Sequence, residues 1–145
     1  MALLADVGTY SGPEPVIHPE SEPFWRGLGD GRLLLQRCTS CGQVRWPVAP
    51  VCHACGSFEH AWRDVPGDGA VSAAVVVQRA TGDPLWAEEA PFLTGMVDLP
   101  ERLRLPGRVL CDCGEGGRHG APVTAAHFST ADGYGVLCFV HGCRK

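Results

Sequence analysis

No stretch of this chain approaches the roughly 20 consecutive apolar residues that span a bilayer, and Met1 to Leu4 lack the basic start and long apolar core of a secretory leader. The expectation is a cytoplasmic protein. Positive charge is also short: 12 Lys and Arg stand against 16 Asp and Glu, a net charge of -4. That balance is a poor footprint for a polyphosphate backbone. No Ser-His-Asp order and no H-E-x-x-H helix is present to give His119, His127 or His141 a general-base role, so catalysis by this chain alone is not expected. Beyond Pro66-Gly67-Asp68-Gly69 no segment carries a helical period, and apart from one doubled motif there is no internal repeat. What remains is globular in composition, 45% hydrophobic and 19% charged, in a length suited to one domain or to a small module joined to another.

Cysteine, by contrast, is plentiful, and four of the 8 cysteines stand in the doubled motif, Cys38-Thr39-Ser40-Cys41-Gly42 and Cys52-His53-Ala54-Cys55-Gly56. Each unit places two thiolates within reach of one ion, and the glycine after the second cysteine can take the positive φ that folds the chain back over the sulfur. The 10 residues between Cys41 and Cys52 suffice for a strand, a proline turn and a return. Four thiolates suggest one tetrahedral zinc, closed to water and substrate and therefore structural. A disulfide pair, a thioredoxin-like site and a rubredoxin-like iron are the competing readings. The first is disfavoured without a secretory context, the second needs a single motif in a βαβ setting, and the third would colour the protein red. His53 and His60 read as surface residues. A second set, Cys111 and Cys113 with His119, Cys138, His141 and Cys143, could hold another metal. C-x-C is the weaker spacing, however, and buried cysteine is commonly just a small apolar residue.

Along the chain, residues 1–20 read as a flexible arm broken by Pro13, Pro15 and Pro19. Residues 21–65 form a helix plus ribbon module. Ser21, Glu22 and Pro23 open a helix in which Phe24 and Leu28 share a face, and Gly29-Asp30-Gly31 ends it. Arg32 to Arg37 and Phe58 to Val65 are expected strands, as is the run holding Val44, Trp46 and Val48, which Pro47 and Pro50 confine to an edge. Trp46 and Trp62 would supply a small core beneath the zinc. In residues 66–145, strands are expected at Ala70 to Arg79, Phe92 to Leu99, Arg102 to Cys111, Pro122 to Thr130 and Tyr134 to Val140. Five strands joined by Gly and Pro turns suggest a closed barrel of the OB type. The fold class expected is mainly β: a short N-terminal helix, a rubredoxin-like four-cysteine zinc ribbon, then a five-stranded OB-fold barrel.

The Phe24-Trp25 helix, the GRLLLQRC lead-in, the doubled C-x-x-C-G and the late Gly120-Ala121-Pro122-Val123 together resemble the rubredoxin-like zinc-ribbon plus OB-fold proteins that accompany acyl-CoA enzymes. The resemblance covers about residues 20–141 and is most specific from Phe24 to Gly56. It implies a non-catalytic accessory subunit with one structural zinc on Cys38, Cys41, Cys52 and Cys55, docked on a thiolase-, aldolase- or acyltransferase-type enzyme in a hetero-oligomer. It also implies acyl-CoA or acyl-pantetheine at the shared interface. Arg37, Arg45 and Arg63 then become candidates for the coenzyme phosphates, with ordinary surface arginines as the equal alternative. Trp86, expected to be exposed in the polar connection Ala80 to Pro91, becomes a candidate partner contact. The chain departs from the family in that connection, where Trp86 stands beside Glu88-Glu89 in place of the usual His and Phe or Tyr. It departs again at Cys111-Asp112-Cys113-Gly114. A single-stranded nucleic-acid binder is the alternative, but residues 65–145 carry seven basic against nine acidic side chains, the wrong sign for a backbone groove.

Overall fold

Two β-sheets carry the structure, a computed structural model that describes residues 3–143. The chain runs through β1 (Ala5–Thr9), α1 (Glu22–Gly29), β2 (Leu34–Cys38), β3 (Val44–Arg45), β4 (His60–Asp64) and β5 (Asp68–Val77). It continues through α2 (Pro84–Glu89), β6 (Phe92–Leu99), β7 (Leu103–Leu110), β8 (Pro122–Ser129) and β9 (Gly135–His141). No helix among the described residues is long and apolar enough to cross a membrane.

Helix α1 starts at the expected Ser21 with Pro23 in its first turn, but the serine hydroxyl donates to the His18 carbonyl and leaves the helix end uncapped. Phe24 and Leu28, one turn apart, are buried to 5% and 0% exposure. The C-terminus closes as a Schellman motif: Gly31 N–H donates to Leu28 and Arg32 N–H to Gly27 at 2.8 Å, with Gly31 at φ 78°. The small sheet, in the order β3-β2-β4, is antiparallel and places β3 at its edge. Pro47 limits β3 to two residues, shorter than the alternation of Val44, Trp46 and Val48 suggested.

The barrel runs β5-β6-β7-β9-β8 and closes from β8 back to β5. Its neighbours are antiparallel except β7 and β9, which run parallel. This is the five-stranded closure of an OB fold. A register shift between Val71 and Ala73 bends β5, which pairs with β8 at its start and with β6 along its length. Val71, Val97, Leu105 and Phe139, one from each of four barrel strands, are fully buried, each contributing about 1.5–3 kcal/mol by leaving water. Helix α1 lies against this barrel at Gly135, where an added Cβ would stand 2.6 Å from the backbone of Leu28.

Two elements differ from the sequence reading. The stretch expected to be a loose arm contains β1, which pairs parallel to β8 with Ala5 opposite Ala126. Its side chains are exposed apart from half-buried Val7, so it has no apolar face to betray it, and backbone pairing makes the strand. The connection from Ala80 to Pro91, a polar loop by sequence, contains the short helix α2, with Asp83 capping Leu85 N–H at 2.9 Å and Pro84 at its start.

Candidate metal centre and the surface around it

The last residue of β2 is Cys38, and the chain turns there so that two equivalent knuckles face each other. In the first, Cys38 N–H donates to Gln43 and Gly42 N–H returns to Cys38; in the second, Cys52 N–H donates to Ser57 and Gly56 N–H returns to Cys52, each at 2.9 Å. Gly42 and Gly56 have φ of 81° and 79°, a conformation that a side chain would strain. The knuckles bring Cys38 Sγ to 3.6 Å from Cys55 Sγ and Cys41 Sγ to 3.6 Å from Cys52 Sγ. All four sulfurs lie within 4.8 Å of one another. A tetrahedral ion with metal–sulfur bonds near 2.3 Å needs sulfurs about 3.8 Å apart, so the donor set fits a four-coordinate metal. Cys38 and Cys52 are buried, whereas Cys41 and Cys55 face solvent.

The electrostatics agree. The backbone N–H of Cys41 holds the Cys38 thiol down at about 6. At Cys55 the Ser57 N–H favours the thiolate, but the neighbouring sulfur of Cys38 and burial outweigh it and push the thiol up to about 12. Four negative sulfurs this close cannot all ionise unless a cation sits among them.

Around the centre, the residues singled out from sequence divide. Arg37 is exposed on β2. Arg63 is exposed and ion-paired to Glu101 at 2.6 Å. Arg45 is 3% exposed and donates from Nη2 to the Ala49 carbonyl at 2.9 Å, while Gln36 Oε1 accepts from Ala49 N–H. Arg45 therefore is not a surface arginine; it braces from within the loop leading to the second knuckle. Trp46 and Trp62 pack at the margin of the core as expected, and His53 and His60 are exposed.

Trp86 is half-buried rather than exposed. It tilts onto Phe92 at 5.7 Å and meets the edge of Tyr10 at 6.5 Å. Beside it Arg108 Nη1 bonds Glu89 at 2.9 Å, and the Arg108 guanidinium carbon lies 5.0 Å from the centre of the Phe92 ring. Ser11 adds a hydroxyl to the same carboxylate. The Arg108 part of this patch escaped the sequence reading, because its surroundings come from the segment after β1, from α2, from β6 and from Phe128 of β8, and no spacing links them.

The three imidazoles considered for proton transfer lie in unrelated settings. His119 Nδ1 is 2.8 Å from the Ser72 carbonyl, His127 is buried in β8, and His141 stands among cysteines. Of the second cysteine set, Cys111, Cys113, His141 and Cys143 come together, while His119 and Cys138 lie apart from them.

A four-cysteine ribbon leading into a closed OB barrel defines a two-module class of protein, and comparison with known proteins narrows it. Residues 25–61 match the model of the ChsH2 rubredoxin-like zinc ribbon domain, and residues 62–129 match that of the ChsH2 C-terminal OB-fold domain. The chain belongs to the ChsH2 family. It is similar to a solved chain described as "Ltp2-ChsH2(DUF35) aldolase", with a TM-score of 0.76, 26% identity and coverage of 88% of this chain and 98% of that one. A DUF35-family protein of unknown function from Sulfolobus solfataricus shares the fold, at a TM-score of 0.55 and 16% identity over 74% of this chain and 77% of that one. A probable enoyl-CoA hydratase alpha subunit of Thermomonospora curvata is 32% identical over 93 residues, 64% of this chain. The matched region spans 28% of that relative's length.

Proposed function

We propose that this chain is a cytoplasmic, non-catalytic accessory subunit that holds one zinc ion in its ribbon. It docks on a thiolase-, aldolase- or acyltransferase-type enzyme and helps to form that enzyme's acyl-CoA or acyl-pantetheine site. The observation that carries this reading is the likeness, across nearly the whole of both chains, to a chain from a structure described as an Ltp2-ChsH2 aldolase. The hydratase-subunit name of the Thermomonospora relative points to the same acyl-CoA chemistry.

Zinc on Cys38, Cys41, Cys52 and Cys55 would supply a rigid cross-link and no reacting group, since four sulfurs fill a tetrahedral shell. The chain's own residues would bind and shape. Arg37 is exposed at the ribbon and suits a phosphate. Arg63 can exchange Glu101 for one, and Arg45 holds the loop that leads to the second knuckle. Trp86, backed by Phe92 and Tyr10, offers a rigid aromatic face of the kind that anchors interfaces. The nucleophile and oxyanion donors would belong to the partner, with this chain supplying position and exclusion of water.

The test is co-expression with each acyl-CoA enzyme encoded beside it, followed by size-exclusion chromatography, metal analysis and turnover. A stable complex carrying zinc in the ribbon, whose activity needs both proteins, is expected. A chain that runs alone, with the enzyme fully active without it, would overturn the reading.

A further inference from the structure

The parallel pairing of β7 and β9 sets Leu110 beside Val140, so both strands leave the barrel at the same rim and in the same direction. The next residues are Cys111 on one side and His141 on the other. Cys113 and Cys143 follow, each two residues further along. Thus C-x-C and H-x-C, 28 residues apart in sequence, are brought face to face by the topology of the barrel, a convergence that neither spacing reveals alone.

The distances are those of a ligand set. Cys111 Sγ is 3.5 Å from Cys113 Sγ and 3.4 Å from Cys143 Sγ, and His141 Nδ1 is 3.7 Å from Cys111 Sγ and 3.6 Å from Cys113 Sγ. All four donor atoms lie within 4.8 Å of one another. Tetrahedral zinc with bonds near 2.3 Å to sulfur and 2.0–2.1 Å to nitrogen requires about 3.8 Å between sulfurs and about 3.6 Å from sulfur to nitrogen. None of the sulfur pairs is near the roughly 2.05 Å of a disulfide, and all three cysteines are unbridged.

The backbone is arranged for the same end. Gly114, directly after Cys113, has φ 81°, the conformation of Gly42 and Gly56 in the ribbon knuckles. Gly116 N–H donates to Cys111 Sγ at 3.1 Å. A Cβ on Gly116 would stand 2.8 Å from that sulfur, so only glycine lets the N–H approach. The Cys143 N–H lies 3.4 Å from His141 Nδ1, a long contact in which Nδ1 is the unprotonated acceptor; a bound ion takes that lone pair in place of the N–H.

The geometry points to a second, Cys3His metal site of zinc type at the rim of the barrel, formed by Cys111, Cys113, His141 and Cys143. Three thiolates and one imidazole suit zinc, and the filled shell makes the site a staple. It ties the β7–β8 connection to the end of β9, where the barrel otherwise relies on one short parallel pairing. The inference rests on neither the partner nor the ribbon metal.

The test is metal analysis of the full chain, purified under reducing conditions, in parallel with Cys38→Ser and a Cys111→Ser/Cys113→Ser double variant. Two zinc ions per chain are expected, the double variant losing one and Cys38→Ser losing the other. If the ribbon reading alone fails, the wild type holds one ion that the double variant loses and Cys38→Ser keeps. One ion in the wild type that the double variant retains overturns the inference. So does an intact mass, after aerobic purification, lower by two hydrogens with a Cys111 cross-link in the peptide map. Should the double variant fail to fold, His141→Cys and His141→Ala decide. The first must keep the second ion and shift the visible bands of the cobalt-substituted protein; the second must lose it. Equal ion content and identical cobalt bands in both would sink the site.

Discussion

The Glu89 carboxylate at the end of α2 receives Nη1 of Arg108, in the middle of β7, at 2.9 Å, with both side chains less than a quarter exposed. This pair fastens the first barrel connection to the barrel wall and supports the Trp86 patch. The Ser11 hydroxyl and the Arg108 guanidinium hold the Glu89 carboxyl below its ordinary range. A lowered carboxyl stabilises the fold above its unfolded value of about 4.3 and loses that contribution as pH falls through the folded value. Glu89→Gln is therefore expected to cost about 1–2 kcal/mol at pH 7 and less at pH 3. Urea midpoints at the two pH values check this; an equal loss at both would refute the pair's role.

Trp86→Ala is expected to leave the metal content unchanged and to weaken the complex with the acyl-CoA enzyme by about 2 kcal/mol, roughly thirtyfold in Kd. Calorimetric titration against the enzyme measures it. An unchanged affinity would remove Trp86 from the interface and leave it a packing residue for Phe92 and Tyr10.

Cys38→Ser is expected to release the ribbon's ion and unfold residues 34–64, because the ligand set supplies much of the folding free energy of so small a unit, about 10 kcal/mol or more in zinc-finger peptides. Limited proteolysis with metal analysis reads both. A metal-free ribbon as protease-resistant as the wild type would show that packing under Trp46 and Trp62 suffices.

Gly135→Ala is expected to destabilise by about 1–3 kcal/mol, because the added methyl meets the backbone of α1 rather than a movable side chain. For a chain of this size the melting temperature should fall by about 3–10 °C. A shift within error would mean that α1 does not press on β9.

The ribbon was legible because its ligands are local: Cys38 and Cys55 are 17 residues apart, and C-x-x-C-G encodes both the donors and the turn that aims them. The barrel was legible as five strands, and Phe92–Leu99 was placed to the residue, since alternation and Gly-Pro punctuation survive in sequence. What sequence concealed is what only the assembled barrel juxtaposes. Strand β1 has almost no buried side chain and is defined by its pairing with β8. Arg45 looks like any cation until Ala49 closes over it. The second set was visible in sequence as six candidates; that Cys111, Cys113, His141 and Cys143 are the four that meet follows from the parallel run of β7 and β9. The helix signal in α2 was present in Asp83-Pro84, but six residues are too few to show a period.

The same contrast in sequence distance sets an order of events. The ribbon's sulfurs can assemble as soon as residue 55 is available, whereas closing the barrel waits for Asp68 to find Thr124 and for β9 to follow. Short loops close at lower entropic cost than long ones, and a chain is made from its N-terminus. During synthesis, the ribbon can stand folded while half the barrel strands are still unmade. It then serves as a finished surface for α1, and α1 in turn is the surface on which β9 comes to rest.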